Sequence, residues 1–109
     1  HCFSSGAELA CRYAELGFYI GIGGVVTFKN GKKMKEVASA VPLTSILLET
    51  DSPYLSPEPK RGKRNDSRNL PYIAQEIARI KGITEEEVRR VTEENALRCF
   101  PKLADREVC

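Results

Sequence analysis

Apolar and polar positions follow one another along this chain in two rhythms, one helical and one of short buried strands. Leu9, Ala10, Tyr13, Ala14 and Leu16 recur at helical spacing, which predicts a helix from Ser5 to Leu16. Ser5 and Glu8 stand in capping-box positions at its start, and Gly17 is placed to stop it. Phe18 to Gly24 is a short apolar run that predicts a strand buried on both faces. Met34, Val37, Ala38 and Val41 then form a second helical stripe, with Lys32, Lys33, Lys35 and Glu36 on the other side and Pro42 ending the helix. Ser45 to Glu49 predicts a second apolar strand.

Two more helices follow a long irregular stretch. Leu70, Ile73, Ala74, Ile77 and Ile80 make one stripe, closed by Lys81-Gly82. Thr84 and Glu87 form a capping box for a last helix, Thr84 to Phe100, expected to bury Val88, Val91 and Ala96. Glu85, Glu86 and Glu87 crowd its first turn, where the helix dipole favours acids. Helices alternating with continuous apolar strands define an α/β fold with parallel strands covered by helices. In such folds chemistry gathers at the carboxyl ends of the strands.

Composition removes several alternatives. The 17 Lys and Arg against 15 Asp and Glu leave a net charge of +2, so the high-charge signature of disorder is absent. The longest apolar run, Phe18 to Val26, is far short of a membrane span, and no partner membrane is expected. Cys2, Cys11, Cys99 and Cys109 contain no CxxC pair, and reduced packing cysteines in a cytoplasmic protein are the expectation. A chain that opens on His is expected to be part of a longer polypeptide.

The second strand runs into Glu49, Thr50, Asp51, Ser52 and Pro53. Two acids at the mouth of a buried strand need a hydrogen bond, a counter-charge or a metal. Strand alternation puts Glu49 and Asp51 on one face, able to enter one site. The plainer reading has Asp51 capping the Ser52-Pro53 turn. His1, the single histidine, reaches the same mouth if a strand ends there, although one neighbouring strand would hold it ~10 Å away unless the sheet curves inward. Lys60 to Arg68 holds five basic residues and one acid, a composition suited to phosphate, and Lys29, Lys32, Lys33 and Lys35 add a second basic cluster expected near the same face. A solvated basic loop explains the same composition. Gly21, Gly23 and Gly24 do not continue as GxGxxG, so they point to a close backbone approach and not to a dinucleotide. Asn95, interrupting an apolar stripe, predicts a buried structural hydrogen bond.

Together HCFSSGAE at His1, GFYIGIGGVVTFKN at Gly17, LLETDSPYL at Leu47, PKRGKRND at Pro59 and TEENA at Thr92 resemble the C-terminal part of the TatD family of metal-dependent deoxyribonucleases, in family order as far as about Leu103. The resemblance implies the C-terminal portion of a TIM-type (β/α)8 barrel, with residues 1–109 as a single partial domain. It implies a hydrolase that cleaves phosphodiester bonds of DNA, at its ends, with a divalent metal: Mg first, Mn or Zn as alternatives. His1 and Asp51 match the family's metal ligands, and Asp51 is also the candidate catalytic base, with Glu49 just behind them. Arg61, Lys63, Arg64 and Asn65 then border the substrate, which is DNA or else RNA, and the full-length protein is expected to be a monomer. Ser5 stands where the family usually has Gly, which alters the turn after His1 but not the ligand. A TIM barrel takes roughly 250 residues, so about three βα units are present; the family's other ligands precede His1, and the segment alone is expected to be inactive with an unpaired sheet edge. Two other readings share the residues: a metal-dependent hydrolase of another ester or amide, and a non-catalytic nucleic-acid-binding α/β module.

Overall fold

In the computed structural model, which describes residues 1–104, four helices pack along a small parallel sheet. The helices are α1 (Ala7–Glu15), α2 (Lys32–Ala40), α3 (Leu70–Lys81) and α4 (Glu85–Cys99). The strands β1 (Ile20–Ile22) and β2 (Ile46–Leu48) pair in parallel, Ile20 opposite Ile46 and Ile22 opposite Leu48. Parallel neighbours need a crossover connection, and α2 supplies it. Backbone hydrogen bonding extends the sheet past its strands: Phe3 N–H donates to the Gly21 carbonyl at 3.2 Å, and Glu49 N–H to that of Ile22 at 3.1 Å. The order is therefore residues 1–3, β1, β2, with β1 in the middle. Among the described residues no strand pairs the outer edge of β2, as expected of a partial barrel.

The core lies between sheet and helices. Ile20, Ile22, Ile46, Val26, Val37, Val41, Ile73, Ile77 and Val88 are buried within it. Each such side chain contributes about 1.5–3 kcal/mol by leaving water. α3 closes on Gly82, whose φ of 67° is the left-handed cap that glycine adopts most readily. The Thr84 hydroxyl caps α4 by accepting from Glu87 N–H at 3.1 Å. Cys2, Cys11 and Cys99 are free thiols, and Cys109 lies outside the described residues.

Three expectations need correction. The first helix begins at Ala7 and is capped by Gly6 without a side-chain bond, so Ser5 and Glu8 form no capping box. Its buried face is the small one: Ala10 is buried, with Ala7, Cys11 and Ala14 packed against the core. Leu9, Tyr13 and Leu16 face outward, and the Tyr13 ring packs edge-on between Phe3 and Phe18 at 6.5 and 5.6 Å. In α4 the fully buried positions are Val88, Thr92 and Asn95, while Val91 and Ala96 are half-buried. The polar residues bury there because they are satisfied. Asn95 donates from Nδ2 to the Leu43 and Ile46 carbonyls at 2.9 and 2.8 Å, and the Thr92 hydroxyl donates to the Val88 carbonyl at 2.7 Å.

Candidate metal centre

The three residues expected at the strand mouth come together there. His1 Nε2 lies 3.9 Å from Asp51 Oδ1, and His1 Nδ1 lies 3.7 Å from Glu49 Oε2. The middle strand makes this possible by having no side chain at the meeting point. A Cβ on Gly21 would stand 2.1 Å from Glu49 Oε1 and 3.4 Å from the His1 Cα. The extended residues 1–3 on one side of β1 and the end of β2 on the other therefore share one site across it, which answers the ~10 Å separation that the sheet alone would impose.

Alternation is not what brings the acids together. Glu49 still hydrogen-bonds as strand, but the chain turns sharply two residues later, where Asp51 has φ 57°. That left-handed backbone is uncommon for a residue with a side chain. Nor does the Asp51 carboxylate cap the turn. The Thr50 hydroxyl accepts from Ser52 N–H at 3.1 Å and the Asp51 carbonyl from Tyr54 N–H at 2.9 Å, which leaves the carboxylate facing His1.

Glu49 has one satisfied oxygen and one orphan. Its Oε1 accepts from the Cys2 backbone N–H, whereas the buried Oε2 has no hydrogen-bond partner. A buried carboxylate oxygen left alone is costly, so a positive charge or an N–H donor at that point is favoured. An Nδ1–H on His1, 3.7 Å away and not yet bonded, would supply that donor after a small turn of the exposed imidazole and would leave Nε2 beside Asp51. Burial pushes the Cys2 thiol up, and the charges of Glu49 and Asp51 push it the same way.

The donor set, one imidazole nitrogen and one carboxylate oxygen, fits a divalent cation and suits Mg, Mn and Zn alike. It is part of a coordination sphere, two donors where Zn takes four ligands and Mg six. Among the described residues no group of three His, Cys, Asp or Glu is placed to hold a metal ion by itself.

The loop from Ser52 to Asn69 is built, not slack. The Ser56 hydroxyl donates to the Lys63 carbonyl at 2.6 Å, Glu58 N–H donates to the Thr27 hydroxyl at 2.8 Å, and the loop crosses Gly24 so closely that a Cβ there would meet the Leu55 carbonyl at 2.2 Å. Arg61 lies over the Phe28 ring, 3.8 Å from its centre. Lys60, Lys63, Arg64, Asp66, Arg68 and Tyr72 line an open pocket of about 360 Å³. Asp66 and Arg68 pair within it, and that guanidinium holds the Asp66 carboxyl down at about 2. The other basic cluster is partly absorbed by the fold: Lys35 pairs with Glu76 at 3.2 Å and Lys33 reaches the Ser4 carbonyl.

Asn65 differs from the substrate-facing residue expected. It is 2% exposed, and its amide donates to the Thr50 and Tyr54 carbonyls, both at 2.8 Å, while its oxygen accepts from Asn69 at 2.9 Å. Sequence reading also missed the Cys2 amide on Glu49; no residue type signals a backbone donor.

Parallel strands with covering helices, and an imidazole and two carboxylates meeting at the strand mouth, define the C-terminal part of a metal-dependent hydrolase barrel. The chain belongs to the family described as TatD related DNase, whose profile matches residues 1–101. Among curated proteins it is 48% identical over 100 residues to YabD of Bacillus subtilis (strain 168), named an uncharacterized metal-dependent hydrolase, covering 92% of this chain and 39% of that one. YcfH of Escherichia coli (strain K12), named in the same way, is 44% identical over 100 residues, covering 92% and 38%. The crystal structure of YjjV, a TatD homologue from Escherichia coli K12, superposes with a TM-score of 0.81 at 28% identity, covering 89% of this chain and 38% of that one. The chain thus spans about two fifths of the length of the relatives it matches.

Proposed function

We propose that this chain carries the His1–Asp51 part of the metal centre of a phosphodiesterase acting on DNA. The observation that supports it most is the meeting of His1, Glu49 and Asp51 over Gly21, next in sequence to a braced basic loop. His1 Nε2 and Asp51 Oδ1 would hold the cation, which supplies Lewis acidity at a phosphoryl oxygen when bound. Glu49 orients the imidazole through Nδ1. The Asp51 oxygen that does not face His1 accepts the proton of an attacking water. Arg61, Lys63 and Arg64 bring fixed positive charge to the phosphates of the strand, and the family description, TatD related DNase, agrees with a DNA substrate.

The test is cleavage of single-stranded DNA with added Mg by a full-length barrel carrying this segment. Expected are metal-dependent cleavage, a rate that falls as salt rises, and a loss of about 10²–10⁴-fold in Asp51→Asn. A protein that leaves DNA intact but hydrolyses small esters or amides overturns the substrate. DNA binding indifferent to metal, with no turnover of anything, overturns the enzyme.

A further inference from the structure

We infer that Asn65 is a positioning residue for Asp51: it grips the backbone on both sides of the Asp51 turn and thereby aims the carboxylate at His1. This rests on the reading of His1 and Asp51 as metal ligands. Asp51 is held in a left-handed conformation, φ 57°, which Asp adopts more readily than most residues with a side chain but which the surrounding bonds must fix as a single state. Asn65 Nδ2 donates one hydrogen to the Thr50 carbonyl, directly before Asp51, and the other to the Tyr54 carbonyl, where the turn ends. The Asn65 N–H adds a bond to the Pro53 carbonyl at 3.0 Å. The amide cannot rotate to offer its oxygen instead, because Asn69 Nδ2, at the start of α3, donates to that oxygen. A continuous chain of bonds therefore links α3 to the turn of Asp51. Both donors lie inside the protein on a residue 2% exposed, so they serve the turn and not a ligand.

The fold supplies its own control. Asn95 is also buried and also donates from one amide to two carbonyls, those of Leu43 and Ile46, but at the opposite end of β2. Asn65→Asp and Asn95→Asp each keep the volume and remove both donors, and only the first touches the Asp51 turn; at Asn95 the Arg98 guanidinium already donates to the side-chain oxygen and offsets part of the cost of the new carboxylate.

The experiment uses a 15N-labelled full-length barrel carrying this segment, with Mn²⁺ as probe and line broadening around Asp51 as readout, beside hydrogen exchange of the Tyr54 amide that closes the turn on the Asp51 carbonyl. Expected for Asn65→Asp is about tenfold more Mn²⁺ for the same broadening, with faster Tyr54 exchange. Asn95→Asp keeps wild-type values for both, although it melts earlier. Asn69→Ala, which frees only the Asn65 oxygen, gives a smaller loss in the same direction and covers the case in which Asn65→Asp does not fold. Wild-type broadening and exchange in Asn65→Asp, or equal losses in Asn95→Asp, overturn the inference. If Mn²⁺ broadens nothing near Asp51 in the wild type, the metal reading falls by itself, and Tyr54 exchange still decides for or against Asn65.

Discussion

A residue's type announces its chemistry, but its backbone decides where that chemistry is delivered. His1 and Asp51 were singled out by the family resemblance and not by residue type alone, since an aspartate before Ser-Pro equally suits a turn cap. The +57° bend at Asp51 was not legible, since no residue type signals it there. Gly21 was legible only as a place of close approach; what approaches is Glu49. Gly21→Ala forces a Cβ into that carboxylate and is expected to cost about 1–3 kcal/mol, with weaker Mn²⁺ broadening at Asp51. Gly82→Ala is the contrast, strained by φ 67° but with nothing within 4 Å of the new carbon and at the far end of α3 from the Asp51 turn, so it leaves the broadening unchanged. Asp66 carries a pH signature. Its folded-state carboxyl is depressed to about 2, so the Arg68 pair contributes above the unfolded value of about 3.9 and is lost as pH falls through 2. An NMR titration of Asp66 is expected to show that midpoint, and to return toward the ordinary carboxylate range in Arg68→Ala.

Among the elements, strong periodicity read true and short apolar stripes did not. α3 and its glycine cap agree with the pattern because one stripe, Ile73, Ala74 and Ile77, has no competitor. α1 offers two stripes, and the structure buries the alanine one, leaving the bulkier Leu9, Tyr13 and Leu16 outward. α4 hides Thr92 and Asn95 because the carbonyls that satisfy them come from residues nearby in space, which a periodicity count cannot see. α2 and α3 are tied by Glu76, whose carboxyl is held below its ordinary value first by Arg79 and then by Lys35. A depressed carboxyl stabilises above its unfolded pKa and ceases to as acid protonates it, so the tie opens on acidification below about 4.3. Glu76→Gln is expected to lower stability by about 1 kcal/mol at neutral pH and to flatten the acid limb of the stability curve, measured by urea unfolding across pH.

Over the whole molecule, two apolar places stand out. Leu16 and Phe18, 74% and 58% exposed, sit at the join of α1 and β1, where the central strand begins, while the half-buried Leu47 and Leu48 line a pocket of about 350 Å³ beside the unpaired edge of β2. The second is a lateral end of the sheet, where a closed barrel continues. The isolated chain is expected to self-associate through both places. Leu16→Gln reduces the sedimenting oligomer without lowering the melting temperature, because that side chain does not belong to the core. A fall in melting temperature would show instead that Leu16 supports the fold. The grip of Asn65 has a last consequence for the molecule as a responsive object. Asn65 belongs to the basic loop, so the loop and the Asp51 turn share one set of bonds and cannot be ordered separately. On the reading of His1 and Asp51 as metal ligands, a phosphate that stills the loop would raise the cation's affinity by some factor, and thermodynamic reciprocity would require the cation to raise the phosphate's affinity by the same factor.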